Sequence, residues 1–214
     1  MALPAYELEE SFLEKDAHTE GEYFAWEDRS PHRWEFLPIQ IPGDSGERLG
    51  IIRAMGGGTA AHSAIAANLI TSFNNELRRQ APGNCRAYGS DLKAHCPDGR
   101  NTYPDVTVVC GPLQFYRDRR DIILNPVLVT EFLSPSTAQD DEGSKRRSYQ
   151  TITSLRSYLL MAADEVRAEI YTREEGSEWR YELWKEPNSL VALPTLGIAL
   201  PLLDLYIHVD LLPQ

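Results

Sequence analysis

Cysteine is scarce. The 214 residues hold three, Cys85, Cys96 and Cys110, an odd and sparse set that makes no disulfide framework and points to a reducing, cytoplasmic setting. Their spacing, with His95 beside Cys96, contains neither Cys-x-x-Cys nor His-x-x-x-His, so a zinc site is not supported. Positive charge is short as well: 21 Lys and Arg stand against 32 Asp and Glu, a formal net charge of −11. Sequence-independent grip on nucleic acid comes from Lys and Arg neutralising phosphates, and a chain of this charge is repelled overall. Composition therefore excludes a general nucleic-acid binder and leaves room only for a local basic patch. Long apolar runs are missing too. The first ten residues lack the basic and apolar regions of a leader. The apolar stretch from Leu196 to Leu212 is interrupted by Pro201, Asp204, His208 and Asp210, too charged to cross a bilayer. It reads as a final core-packing segment. There is no internal repeat and no low-complexity tract.

What is present suits a folded chain. A hydrophobic fraction of 42% with 9% aromatics is enough for a packed core and unlike a disordered segment. The expected arrangement is an N-terminal helical extension over 1–33 followed by one domain over 34–214. Tyr6, Leu8, Phe12 and Leu13 have roughly helical spacing. Residues 34–41 and 47–55 read as strands around the turn chemistry of Pro42-Gly43-Asp44-Ser45-Gly46. The clearest helix starts at Thr59 as N-cap, runs through Ile65, Leu69, Ile70, Phe73 and Leu77, and stops at Pro82-Gly83. Strands follow at 85–93, 105–110 and 127–133, the last two as compact apolar runs of the kind buried on both faces. A polar helix over about 138–153 comes next, then strands at 157–162, 166–172 and 179–185. The pattern predicts a mixed α/β fold with a central mixed sheet flanked by helices.

Two acids stand out against this pattern. Asp105 follows Pro104 and opens a buried strand, and Glu131 lies inside another. An acid in an apolar strand is costly unless it is paired, hydrogen-bonded or bound to metal. Two of them on neighbouring strands make a hard-oxygen site suited to Mg²⁺ or Mn²⁺. In the polar helix Asp141, Lys145 and Tyr149 are spaced i, i+4, i+8 and share one face. From there the lysine can reach back to the strand ends, to orient water or to stabilise charge on a phosphate. Taken singly, each residue has a plainer reading: a turn, a paired strand acid, a solvated lysine.

The runs Asn101-Thr-Tyr-Pro-Asp-Val-Thr-Val-Val-Cys-Gly-Pro112, Leu124-Asn-Pro-Val-Leu-Val-Thr-Glu-Phe-Leu-Ser-Pro-Ser-Thr137, Asp141-x-x-x-Lys145-x-x-x-Tyr149 and Ser154-Leu-Arg-Ser-Tyr-Leu-Leu160 resemble the Uma-two family, as do His62-Ser-x-Ile-Ala-x-Asn-Leu69 and Ser90-Asp-Leu92. The resemblance spans about Trp34 to Tyr206. It implies a restriction-endonuclease-like fold of the Pro-Asp…(Asp/Glu)-x-Lys superfamily and Mg²⁺- or Mn²⁺-assisted hydrolysis of DNA phosphodiesters. Leu133 stands where that motif usually has its lysine, and Lys145 in the following helix takes its place. By the resemblance Asp105 and Glu131 ligate the metal, with the backbone carbonyl of Phe132 as a further ligand. Lys145 positions the attacking water, and Glu35 matches an additional N-terminal acid. Residues 38–50 replace the family's short turn with Asp-Gly, which leaves the role of Glu35 open. Dimers are common in the superfamily.

The remaining candidates are weighed against plainer readings. His62 near the helix start is a capping or surface residue, or it contacts a phosphate or a metal-bound water. Tyr149 hydrogen-bonds within the site or packs the helix. Arg117, Arg119 and Arg120, with Lys145, Arg146 and Arg147, form basic clusters flanking the acids, either a DNA-binding patch or a solvated face among interleaved Asp and Glu. Tyr23, Phe24 and Trp26 serve a homodimer interface or fold onto the core. Ser134 and Ser136 lack a nucleophile-elbow pattern, and Gly56-Gly57-Gly58 lacks the frame of a phosphate loop. Two functional classes result: a metal-dependent DNA nuclease, or a non-catalytic interaction or regulatory protein that keeps the nuclease scaffold.

Overall fold

The structure is a computed structural model that describes residues 16–39, 47–79, 84–133, 140–175 and 178–211. The helical spacing at 6–15, the turn at 42–46, the helix stop at 82–83 and the serines at 134 and 136 lie outside them. Along the chain run β1 (His18–Thr19), helix α1 (Glu20–Glu27), β2 (Trp34–Pro38), β3 (Leu49–Ala54), helix α2 (Ala60–Arg79), β4 (Cys85–Gly89), β5 (Lys93–His95), β6 (Asn101–Thr102) and β7 (Val106–Cys110). Then come β8 (Phe115–Tyr116), β9 (Arg119–Ile123), β10 (Leu128–Leu133), a π-helical turn (Asp141–Lys145) running into helix α3 (Arg146–Gln150), β11 (Ser157–Ala162), β12 (Ala168–Arg173), β13 (Trp179–Trp184), β14 (Leu190–Leu193), β15 (Ile198–Pro201) and helix α4 (Leu202–Leu205).

Two compact units result, residues 1–56 with 98–102, and residues 57–97 with 103–214. In the first, β3 pairs antiparallel with β1 and β2, and β2 with β6. Helix α1 starts at a capping box, in which the Thr19 hydroxyl accepts from the Glu22 N–H and the Glu22 carboxylate from the Thr19 N–H, so two orphan donors of the first turn are satisfied. Tyr23, Phe24 and Trp26 are buried, and the Tyr23 hydroxyl donates to the Trp34 carbonyl at 2.7 Å. These aromatics pack within the first unit, Tyr23 against Phe36 and Trp26 against Trp34.

The second unit is built on a sheet of order β13-β12-β11-β10-β7-β4. All neighbours pair antiparallel except β10 and β11, which are parallel. The fold is thus mixed α/β with a central mixed sheet, as expected. β10 and β11 are buried along their whole length, which is why their sequences read as continuous apolar runs. Side chains alternate faces along a strand. Leu128 and Phe132 meet Ile65, Leu69, Phe73 and Leu77 of α2 on one face, with the C-terminal Leu196, Ile198, Leu200, Leu202 and Leu205 completing that core. Val129 and Leu133 meet Tyr149, Ile152, Leu155 and Tyr158 on the other. Glu131 therefore points to the second face and Phe132 to the first.

Three local expectations are revised. The single strand expected over 85–93 is two strands, broken after Gly89 where Leu92 N–H turns back to the Gly89 carbonyl. The polar helix is a π-helical turn followed by α3, among the described residues. Cys85 and Cys110 are cross-strand partners on β4 and β7 and form a disulfide, while Cys96 is buried and outside it. Pairing of that kind depends on strand register, which a cysteine count does not carry. No helix among the described residues is long and apolar enough to cross a membrane.

Candidate active site

Asp105 sits one residue ahead of β7, where the ladder to β10 ends at the pair Val106–Thr130. The Asp105 N–H donates to the Thr130 carbonyl at 3.1 Å. Its carboxylate then accepts the Phe132 N–H through Oδ2 at 2.7 Å. In a strand, the N–H and C=O of one residue point to the same edge. The Phe132 carbonyl thus points to the same edge as Asp105, into the space that β7 does not continue to fill. Asp105 Oδ1 is met by His62 Nε2 at 3.1 Å.

His62 belongs to the first turn of α2. Its N–H is capped by the Thr59 hydroxyl at 3.2 Å, as the sequence predicts for Thr59. Its ring stands edge-on to Phe132, with centroids 5.0 Å apart. The bond to Asp105 raises the imidazole pKa above its ordinary value, and the charges of Asp105 and Asp141 add to this against desolvation and Lys145.

Glu131 reaches the opposite face of the sheet. Its Oε1 accepts the Tyr149 hydroxyl at 2.7 Å and pairs with Lys145 Nζ at 2.9 Å. Lys145 also lies 3.4 Å from Asp141 Oδ1. Asp141 and Lys145 stand four residues apart on one side of the π-helical turn, and Lys145 presents from it to Glu131 of β10. Burial pushes the Glu131 carboxyl well above the usual carboxylate range, and the nearby charges of Asp105 and Asp141 push the same way, against Lys145 and Tyr149. Burial likewise raises the Tyr149 hydroxyl, helped by the charge on Glu131. Replacing Tyr149 by Phe removes a bond that favours ionised Glu131. The expected result is a Glu131 carboxyl raised further and Mn²⁺ binding weakened about 10–100-fold, the range for outer-shell partners. Calorimetric titration checks it, and the deficit should shrink as pH rises and Glu131 ionises regardless. An unchanged affinity at acidic and neutral pH refutes it.

Of the residues singled out from sequence, Asp105, Glu131, Lys145, Asp141, Tyr149, His62 and the Phe132 backbone meet here. Glu35 belongs to the first unit, where Arg53 binds its Oε2 at 2.5 Å and the Thr102 hydroxyl donates to its Oε1. Arg119 grips Asp121 through two bonds of 3.1 and 2.9 Å. Arg117, Arg120 and Arg146 lie over the rings of Tyr116, Phe115 and Tyr171. Two residues were not visible from sequence. The Tyr158 hydroxyl donates to the Asp141 carbonyl at 2.9 Å and so ties the π-helical turn to β11. Lys93 is fully buried, 3.9 Å from Asp121 and 4.9 Å from the Tyr103 ring centroid. The even-numbered alternation of Tyr158 with Leu160 on β11 was the available signal for the first; an ammonium between Leu92 and Ala94 was a weak one for the second.

Among the described residues no three His, Cys, Asp or Glu side chains are grouped to hold a metal ion. What the site offers is oxygen: the Asp105 carboxylate, the Glu131 carboxylate, met by Lys145 and Tyr149 at Oε1, and a carbonyl edge. That donor set does not suit zinc, which takes a closed set of nitrogen and sulfur ligands. It fits a hard cation such as Mg²⁺, which keeps several waters and needs one or two carboxylates.

Asp105 ahead of β7, Glu131 within β10 and Lys145 from the following helical turn all belong to the second unit. The family model described as "Uma2: Putative restriction endonuclease" matches residues 21–203, and the chain belongs to this family. Two uncharacterized proteins of Synechocystis sp. are similar, one 37% identical over 74% of this chain and 75% of its own length, the other 26% identical over 75% and 84%. A solved structure from Anabaena variabilis, described as a putative nuclease belonging to DUF820, shares the fold with a TM-score of 0.64 at 21% identity, covering 88% of this chain and 97% of that one.

Proposed function

We propose that this protein is a Mg²⁺- or Mn²⁺-dependent endonuclease-like hydrolase that cleaves DNA phosphodiester bonds. The observations that carry the reading are the Asp105 carboxylate on the N–H of Phe132, the residue next to Glu131 on β10, and Lys145 2.9 Å from Glu131. Asp105, Glu131 and the Phe132 carbonyl would hold the cation, which when bound supplies Lewis-acid polarisation of the phosphate and a more acidic water. Lys145, held by Glu131 and Asp141, orients the attacking water from the α3 face. Tyr149 keeps Glu131 in place. The net charge of −11 implies weak and strongly salt-sensitive DNA affinity.

Plasmid cleavage with Mg²⁺ or Mn²⁺ tests this. The wild type is expected to nick DNA, and Asp105→Ala to lose at least about a hundredfold, more than outer-shell partners cost. Equal rates, or no cleavage by either protein across metals and substrates, defeat the reading. The pairing of Arg119 with Asp121 favours a second one, a non-catalytic interaction protein on the same scaffold. It predicts no Mn²⁺ uptake by calorimetry and capture of a protein partner that also binds Asp105→Ala.

A further inference from the structure

We propose that His62 is the positioning residue for Asp105, setting the carboxylate's orientation for cation binding just as Lys145 and Tyr149 set that of Glu131. The inference rests on the cation-site reading above and adds a member to it. Each acid is held at two points. For Glu131 both are side chains from the π-helical turn and α3. For Asp105 one is the Phe132 N–H, fixed by the strand, and the other is His62 Nε2. Without His62 the carboxylate keeps a single bond and is free to rotate about it, so its second oxygen no longer has a defined place.

His62 is itself held firmly enough for this work. Thr59 caps its N–H, and the Phe132 ring stands edge-on to it. A Cβ on Gly58 would lie 3.0 Å from two of its ring atoms, so the loop before α2 packs closely against the imidazole and a larger residue there would have to displace the ring by a few tenths of an ångström. A histidine serving only as a helix cap would need none of these side-chain contacts. Exposure separates the two supports. Lys145 and Glu131 are 7% and 3% exposed, whereas His62 and Asp105 are 27% and 13% exposed. The site therefore opens on the His62 side, and the acid on that open side is the one whose orientation depends on a single side chain.

The test is calorimetric titration of the full chain with Mn²⁺, for wild type, His62→Ala, His62→Gln and His62→Asn, beside thermal unfolding of each. Glutamine places its amide nitrogen near the position of Nε2, and asparagine near that of Nδ1, which faces away from Asp105. We expect His62→Ala and His62→Asn to bind Mn²⁺ about 10–100-fold more weakly, and His62→Gln to recover most of the loss. A purely structural histidine would not make affinity follow the position of one nitrogen. Should His62→Ala fail to fold, the Gln and Asn pair decides. Equal Mn²⁺ affinity in wild type, Gln and Asn variants overturns the inference and leaves the cation site standing. A wild type that takes up no Mn²⁺ overturns the cation site and the inference together.

Discussion

Glutamine at position 131 is expected to remove divalent-cation binding and yet leave the metal-free protein more stable at neutral pH. Glu131 is buried against Leu160 of β11 and faces the charges of Asp105 and Asp141. Its carboxyl, near 4.5 when unperturbed, is raised well above that in the fold. Between those two values the folded protein holds a proton that the unfolded chain has released, so the stability supplied by Glu131 is full below about pH 4.5 and drains away as pH rises through the folded value. Glutamine keeps the acceptor for Tyr149 and Lys145 but carries no charge to desolvate. Its unfolding midpoint in urea should therefore exceed that of wild type at pH 8 and converge with it near pH 4. Cleavage and Mn²⁺ affinity should fall at least a hundredfold, because an oxygen ligand becomes an amide. A variant less stable than wild type at every pH would show that the ion pair with Lys145 outweighs desolvation.

Methionine at position 145 is expected to have the opposite effect on stability and a similar one on activity. Lys145 lies against two carboxylates in a nearly dry place. Removing one partner of a buried pair leaves the other uncompensated, at a cost of about 3–5 kcal/mol. Protonation of Glu131 offsets part of that cost, so the loss should be largest at alkaline pH and shrink toward pH 4. Activity should drop about 10²–10³-fold, as when a single preorganised electrostatic contact is removed. The double variant Glu131→Gln with Lys145→Met should recover much of the stability and none of the activity. Independent, additive losses in that cycle would show that the two side chains are not coupled.

How much of this was legible beforehand follows from cost. An acid within an apolar strand is expensive, so Glu131 among Val129, Phe132 and Leu133 announced itself. Asp105 before Val106 did likewise, and the spacing of Asp141, Lys145 and Tyr149 placed all three on one side of a helix. The periodicity of Ile65, Leu69, Phe73 and Leu77 gave α2, because one apolar stripe is all a covering helix needs. Other features rest on three-dimensional register. Nothing in the neighbourhood of His62 distinguishes a cap from a partner of Asp105, since the contact joins residues far apart in the chain. The bridge between Cys85 and Cys110 depends on how β4 aligns with β7. The sequence left the arginines at 117–120 between a DNA-binding patch and a solvated face among acids; their pairing with Asp121 and stacking on Tyr116 and Phe115 arise when β8 and β9 fold back on each other.

The position of Asp105 has one more consequence. β7 begins only after it, and its own N–H and its carboxylate bridge the Thr130 carbonyl and the Phe132 N–H of β10. The side chain thereby acts as a prosthetic rung, extending the ladder one step past the end of the strand. The atom that would meet the cation and the atom that finishes the sheet are two oxygens of one carboxyl group. Alanine there removes a rung together with a ligand, whereas asparagine still presents an oxygen to Phe132. Asparagine is thus the substitution that separates chemistry from architecture at this position.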